Sequence, residues 1–143
     1  MRPWIVLLVE DNPADARLMK EAIDLAGLPV DLHHVADGEE ALGFLQGTDG
    51  PGKMLRPDLV LLDLNLPRLD GREVLRTMKD DASLRRIPVV VLTTSASPSD
   101  VRLVYDLHGN AFLTKKLDVE AFEADIAALL HHWFEVVELS QEP

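Results

Sequence analysis

The sequence predicts an α/β domain built on a doubly wound parallel sheet of five strands, and three observations carry that expectation. Apolar runs alternate with amphipathic segments five times along the chain. Most of the connections are short and punctuated by Gly, Pro, Asn or Asp. The clearest runs are nearly continuous in Val, Ile and Leu, as strands covered on both faces require. Right-handed crossovers then lay helices on both sides of the sheet.

Trp4 to Val9 reads as a buried strand because nearly every position is apolar. Asn12-Pro13 supplies a cap and then Pro at the first helical position. Leu18, Met19, Ala22, Ile23 and Ala26 follow at helical spacing up to Gly27. Val30 to Val35 is a second, weaker strand. Asp37-Gly38 turns into a helix through Ala41, Leu42 and Leu45, and Gln46 to Pro57 is a loop rich in Gly, Pro and Asp. Leu59 to Leu62 forms the third strand and stops at Asp63. Pro67 and Gly71 punctuate the connection to a helix marked by Val74, Leu75 and Met78. Pro88 to Leu92 is a strand of branched residues. Ser97-Pro98 opens a helix through Val101, Val104 and Leu107, which Gly109-Asn110 ends, and Ala111 to Thr114 is the fifth strand. From Val119, the residues Phe122, Ile126, Leu129, Leu130, Trp133, Phe134 and Val137 extend one long last helix.

Composition narrows the functions open to this domain. At 143 residues with 47% hydrophobic content, one domain should bury roughly 70% of its unfolded surface without staples. The absence of cysteine excludes thiol nucleophiles, iron–sulfur clusters and thiolate zinc sites. A formal charge of -11 opposes contact with nucleic acid or anionic lipid. The first residues lack a signal-peptide pattern, and no apolar run approaches the roughly 18 to 20 residues of a bilayer span. A soluble, cytoplasmic protein is the expectation.

In an open parallel sheet, sites form beyond the carboxyl ends of the strands. Those ends carry Glu10 and Asp11, Asp63 and Asn65, Thr93 and Thr94, and Lys115. Taken alone, Asp11 is a cap or turn former, Thr93 a β-branched strand end and Lys115 a solvated charge. Their coincidence at one edge is what points to function. Carboxylates about 5 Å apart repel by roughly 3 kcal/mol at an effective dielectric near 20, so the group calls for a cation. Oxygen ligands of this kind suit Mg²⁺ in company with a phosphate. An ionised aspartate can attack phosphorus, with Mg²⁺, an ammonium and a hydroxyl neutralising the equatorial oxygens.

Four ordered motifs, LLVEDNP (7–13), LVLLDLNLPRLDG (59–71), PVVVLTT (88–94) and NAFLTKK (110–116), resemble the receiver domain of bacterial two-component response regulators over almost the whole chain. The resemblance implies a flavodoxin-like (βα)5 fold. It also implies that Asp63 accepts a phosphoryl group from a sensor histidine kinase. Glu10, Asp11, Asp63 and the Asn65 carbonyl would form the Mg²⁺ site. Thr93 and Lys115 would contact the phosphoryl oxygens, and Thr93 and Phe112 would be the switch residues. The receiver would occupy residues 1–130, with 131–143 extending the last helix. Output would run through protein contacts around the fourth helix, fifth strand and fifth helix, or through a phosphorelay.

The loop before the third strand, the segment Gly71 to Ser95 and the Trp133-Phe134 pair resemble phytochrome-associated single-domain response regulators. That narrower likeness implies a bacteriophytochrome kinase as donor and a homodimer through the face near the last helix. Trp133, Phe134 and Val137 are the candidate contact residues, on the expectation that little core remains beyond the sheet's end. One position departs from the receiver pattern. Lys116 stands where receivers usually have Pro after a cis bond, so the Lys115-Lys116 bond should be either cis or trans with an altered loop.

Other signals fail on context. Gly47 to Lys53 has P-loop spacing, but Met54 stands where a Mg²⁺-binding hydroxyl is needed and no helix can start there. His33 and His34 should face opposite sides of a strand, and His131 and His132 diverge on a helix. An aspartate-nucleophile phosphohydrolase would need a second Asp where Asn65 stands and more chain. A flavin phosphate would be repelled by Glu10 and Asp11. A phosphorylation-independent dimerisation module leaves the complete acceptor set without a purpose.

Overall fold

The computed structural model describes residues 2–47, 56–94 and 97–140. The candidate P-loop motif beyond Gly47, most of the long loop, and Ser95 lie outside the described residues. The chain runs β1 (Trp4–Val9), α1 (Pro13–Ala26), β2 (Val30–Val35), α2 (Gly38–Gln46), β3 (Leu59–Leu62), α3 (Gly71–Asp80), β4 (Val89–Thr93), α4 (Pro98–Asp106), β5 (Ala111–Thr114) and α5 (Val119–His131). The five strands form one parallel sheet in the order β2-β1-β3-β4-β5. The predicted doubly wound class therefore holds, and the order reverses beside β1, where the crevice opens between β1 and β3.

Strand periodicity divides the core into two layers. Leu7, Val9, Val60, Leu62, Val89 and Val91 face α2, α3 and α4 through Ala41, Leu45, Val74, Leu75, Met78 and Val104. Val6, Leu8, Leu59, Leu61, Val90 and Leu92 face α1 and α5 through Met19, Ala22, Ile23, Phe122, Ile126 and Leu130. Adjacent residues of one strand thus serve opposite layers, which is why the central strands read as unbroken apolar runs. Each helix starts on a side-chain cap. Asn12 accepts from the N–H groups of Ala14 and Asp15, Asp37 from Glu40, Asp70 from Arg72, Ser97 from Asp100, and Asp118 from Glu120 and Ala121.

The end of the sheet opposite the strand carboxyl termini is closed by polar clamps. Arg2 grips Asp58 through two bonds of 2.8 Å, and Asp58 also accepts from the Ile5 N–H. Lys79 donates to the carbonyls of Arg85 and Ile87 and to Asn110 Oδ1 at 3.2, 3.0 and 2.9 Å. Burial without a paired carboxylate pushes this amine down to about 8.

Two local expectations are corrected and one element is added. A short 3₁₀ turn, Leu84–Arg86, precedes β4. The fourth helix stops at Asp106 with Leu107 as its cap, before Gly109, and His108 takes the left-handed conformation at φ 68°. The last helix does not continue unchanged to Val137. After His131 it widens into a π turn over His132–Val136. That widening accompanies the inward placement of Phe134, which is buried and stacks on Trp4 with centroids 4.8 Å apart and planes 3° from parallel. Phe134 is therefore core, because the first residue of β1 extends the apolar layer beyond where sequence patterning ends it. Trp133 and Val137 remain half-buried and Val136 exposed.

Replacing Phe134 by Ala would remove the stack and leave a cavity beside Trp4. The expected loss is about 3 to 5 kcal/mol of folding stability, read from urea denaturation followed by tryptophan fluorescence. A loss within the range of surface substitutions would contradict the packing role.

Candidate functional site

Parallel register brings the polar strand ends to one edge. Val9 of β1 pairs with Leu62 of β3, so Glu10 and Asp11 emerge beside Asp63. The Asp63 N–H donates to the Val9 carbonyl at 3.1 Å and the Glu10 N–H to the Val35 carbonyl at 3.1 Å, continuing the ladder past the strands. On the other side Thr93 pairs with Thr114, and the Lys115 N–H donates to the Thr93 carbonyl at 2.8 Å. The carboxylates of Glu10, Asp11 and Asp63 offer oxygens that all lie within 4.8 Å of one another. All three were read from the sequence, and the fold brings them together.

The three carboxylates differ in environment. Glu10 is 2% exposed, whereas Asp11 is open to solvent and the Asp63 side chain is mostly covered. Glu10 Oε2 accepts from the Asn12 N–H at 3.2 Å. Burial pushes the Glu10 carboxyl up to about 7, against the lowering pull of the Lys115 ammonium and with the Asp63 charge adding to the rise. Asp63 Oδ1 accepts from the Asn65 N–H at 3.1 Å, a local turn that fixes the carboxylate and presents the Asn65 backbone at the site. His34 Nε2 lies 2.8 Å from the Glu10 carbonyl. A carbonyl only accepts, so that nitrogen carries the proton.

Lys115 reaches the cluster even though Lys116 follows it. All described peptide bonds are trans. The Lys115 ammonium nevertheless donates to Glu10 Oε1, to Asp15 Oδ2 at 3.0 Å and to Asp63 Oδ2 at 3.3 Å. Burial works against its charge, but the bonds and charges of Glu10, Asp63 and Asp15 outweigh it and hold the ammonium above its ordinary range. Lys116 has its own partner, its Nζ 2.8 Å from Asp125 of α5.

Thr93 closes β4 and is 2% exposed, and Phe112, opposite Val91 in register, is half-buried against the α2–α4 layer. The approach of α3 to the acceptor strand demands glycine at one point. A Cβ on Gly71 would fall 2.3 Å from the Asp63 carbonyl oxygen, and its N–H donates to the Leu64 carbonyl at 2.9 Å. Asp15 was not anticipated as a site residue. Its place in the first turn of α1, four residues after Asp11, is the only signal, and an acid there is common for helix-dipole reasons.

Chemically, the edge offers hard oxygen donors for a divalent cation, a carboxylate nucleophile next to an ammonium, and a strand-end hydroxyl. Outside this edge, His33 and Phe44 pack ring to ring on the far side of β2 from His34, so the histidine pair shares no ligand. His131 pairs with Glu135 at the protein surface. Among the described residues, no helix is long and apolar enough to cross a membrane.

Comparison with known proteins places this geometry. Residues 6–127 match the response regulator receiver domain family. Response regulator Rcp1 of Synechocystis sp. is 43% identical over 137 residues, covering 96% of this chain and 93% of Rcp1. The crystal structure of the Mn²⁺-bound form of Rcp1 superposes with a TM-score of 0.88 over 96% of this chain and 99% of that one, at 43% identity. The phosphorylated cyanobacterial phytochrome response regulator RcpA superposes with a TM-score of 0.90 at 41% identity, over 97% of this chain and 99% of that one. The fold that carries the carboxylate edge is thus shared with these structures, and the chain belongs to the response regulator receiver domain family.

Proposed function

We propose that this receiver takes a phosphoryl group from a sensor histidine kinase onto Asp63, with Mg²⁺ as the resident cation. The observation that carries the reading is the convergence of Lys115 and the Glu10–Asp11–Asp63 cluster on one strand-end crevice. A carboxylate oxygen of Asp63 forms a bond to phosphorus as the bond from phosphorus to the donor's imidazole nitrogen breaks. The nitrogen keeps the electron pair, and Asp63 becomes an aspartyl phosphate. Lys115 supplies a positive charge where the transferring oxygens gather, and Thr93 offers a hydroxyl from the end of β4. Glu10, Asp11, Asp63 and the Asn65 carbonyl fit a hard cation, since every donor is oxygen. When bound, Mg²⁺ supplies charge neutralisation and orientation of the phosphoryl oxygens.

A phytochrome kinase as donor is supported by the likeness to RcpA, a cyanobacterial phytochrome response regulator. Signal output then follows from charge added at the crevice, with Thr93 and Phe112 as the responding side chains. Self-association through the end of the last helix rests on Val136, 64% exposed, with Trp133 and Val137 beside it. Phe134 lies inside that surface as support.

Three outcomes are expected. Incubation with acetyl phosphate and Mg²⁺ adds one phosphoryl mass to the wild-type protein, while Asp63→Asn or chelation by EDTA abolishes it. An adduct on Asp63→Asn would overturn the acceptor assignment. Second, a cation displaces the proton that burial keeps on Glu10 up to about 7. Mn²⁺ affinity, titrated by calorimetry or electron paramagnetic resonance, should fall as pH drops below that value, approaching about tenfold per unit. A pH-independent affinity between 5.5 and 7 would contradict it. Third, sedimentation at high micromolar concentration should give a dimer mass, reduced to monomer by Val136→Asp. A monomer throughout would remove the self-association proposal.

A further inference from the structure

Lys115 carries three N–H donors, and three carboxylates from three different elements take them. Glu10 continues β1, Asp63 follows β3, and Asp15 sits in the first turn of α1. Only the first two belong to the acceptor chemistry described above. The carboxylate of Asp15 makes no other hydrogen bond or ion pair among the described residues. It is not the cap of α1, because Asn12 does that work and accepts from the Asp15 N–H at 3.1 Å. The cap also fixes the Asp15 backbone, so the side chain projects from a rigid origin. Asp15, Lys115 and Thr94 line one cavity of about 140 Å³, next to the acceptor edge.

We propose that Asp15 is a positioning residue for phosphoryl transfer, acting only through Lys115. Glu10, beyond the end of β1, and Asp15, on α1, hold two N–H groups. The third N–H is thereby directed at Asp63, over a bond longer than that to Asp15. When a phosphoryl group arrives on Asp63, that third donor turns to its oxygens while the other two stay in place. The aim is set before the reaction, which is what gives a charged donor its value in transfer. The next residue, Lys116, lines the same cavity and forms an ion pair with Asp125. The backbone on which Lys115 stands is therefore tethered to α5 while its tip is tethered to α1. This inference rests on phosphoryl acceptance by Asp63 and names a residue outside the motifs that carry it.

The test is a double-mutant cycle on initial rates of adduct formation with acetyl phosphate and Mg²⁺, read by intact mass. Asp15→Ala should slow the wild-type rate about tenfold, the size expected for losing one charge-assisted hydrogen bond. It should add nothing in a Lys115→Gln background, and Asp15→Glu should restore part of the rate. Unchanged melting temperatures would show that the variants are folded. An unchanged rate, an equal loss in both backgrounds, or a faster rate from removing one negative charge would each overturn the positioning role. If the wild-type protein forms no adduct, the acceptor reading itself fails, and the Lys115 geometry is then read separately. The Lys115 side-chain nuclear magnetic resonance signals should shift in Asp15→Ala, and their constancy would overturn the inference independently.

Discussion

Everything at the carboxyl edge of the sheet depends on one electrostatic constraint: three carboxylates share a single ammonium, with the carboxylate of Asp11 beside them. Ionised carboxylates whose oxygens lie within 4.8 Å of one another, as those of Glu10, Asp11 and Asp63 do, repel by about 3 kcal/mol or more per pair at an effective dielectric near 20. Lys115 offsets part of this, and what remains makes the edge a trap for positive charge. The residues around it follow from that imbalance. Backbone donors from Asn12 and Asn65 brace the carboxylates. Gly71 lets α3 come close enough to wall the crevice without crowding Asp63.

Such a cluster holds its shape only on a rigid base. The two apolar layers supply it, since the central residues of β1, β3 and β4 are fully buried and leave the strand ends little freedom to move apart. Function and stability are in tension here. Moving the carboxylates apart would relieve repulsion, but their attachment points are fixed by the ladder between β1 and β3. Strain that the fold does not relax is available to a ligand that does.

The strands, the caps and the acceptor set were legible because each leaves a local mark. Leu59 to Leu62 is an unbroken apolar run, Asn12-Pro13 and Ser97-Pro98 are helix starts, and Glu10, Asp11, Asp63 and Lys115 fall directly after strands. Asp15 was not legible, since its partner lies a hundred residues away in sequence and an acid in a first helical turn has an adequate local explanation. Phe134 was misplaced for a related reason. Patterning says how a helix faces the core but not how far the core extends, and that limit is set here by Trp4. The π turn at His132–Val136 has no compositional signature. It is visible only through the ring that it delivers inward.

The stack between Trp4 and Phe134 also bears on how the molecule is made. Within this domain the ribosome delivers β1 before the π turn that packs on it, at about 5 to 20 residues per second. The indole therefore lacks its stacking partner until the last element of the domain is made, beside a strand whose neighbour β3 also arrives later than β2. Long-range pairing of this kind is slow to form and leaves apolar surface open meanwhile. The domain closes as a clasp does, with its first strand held by the turn that follows its last helix.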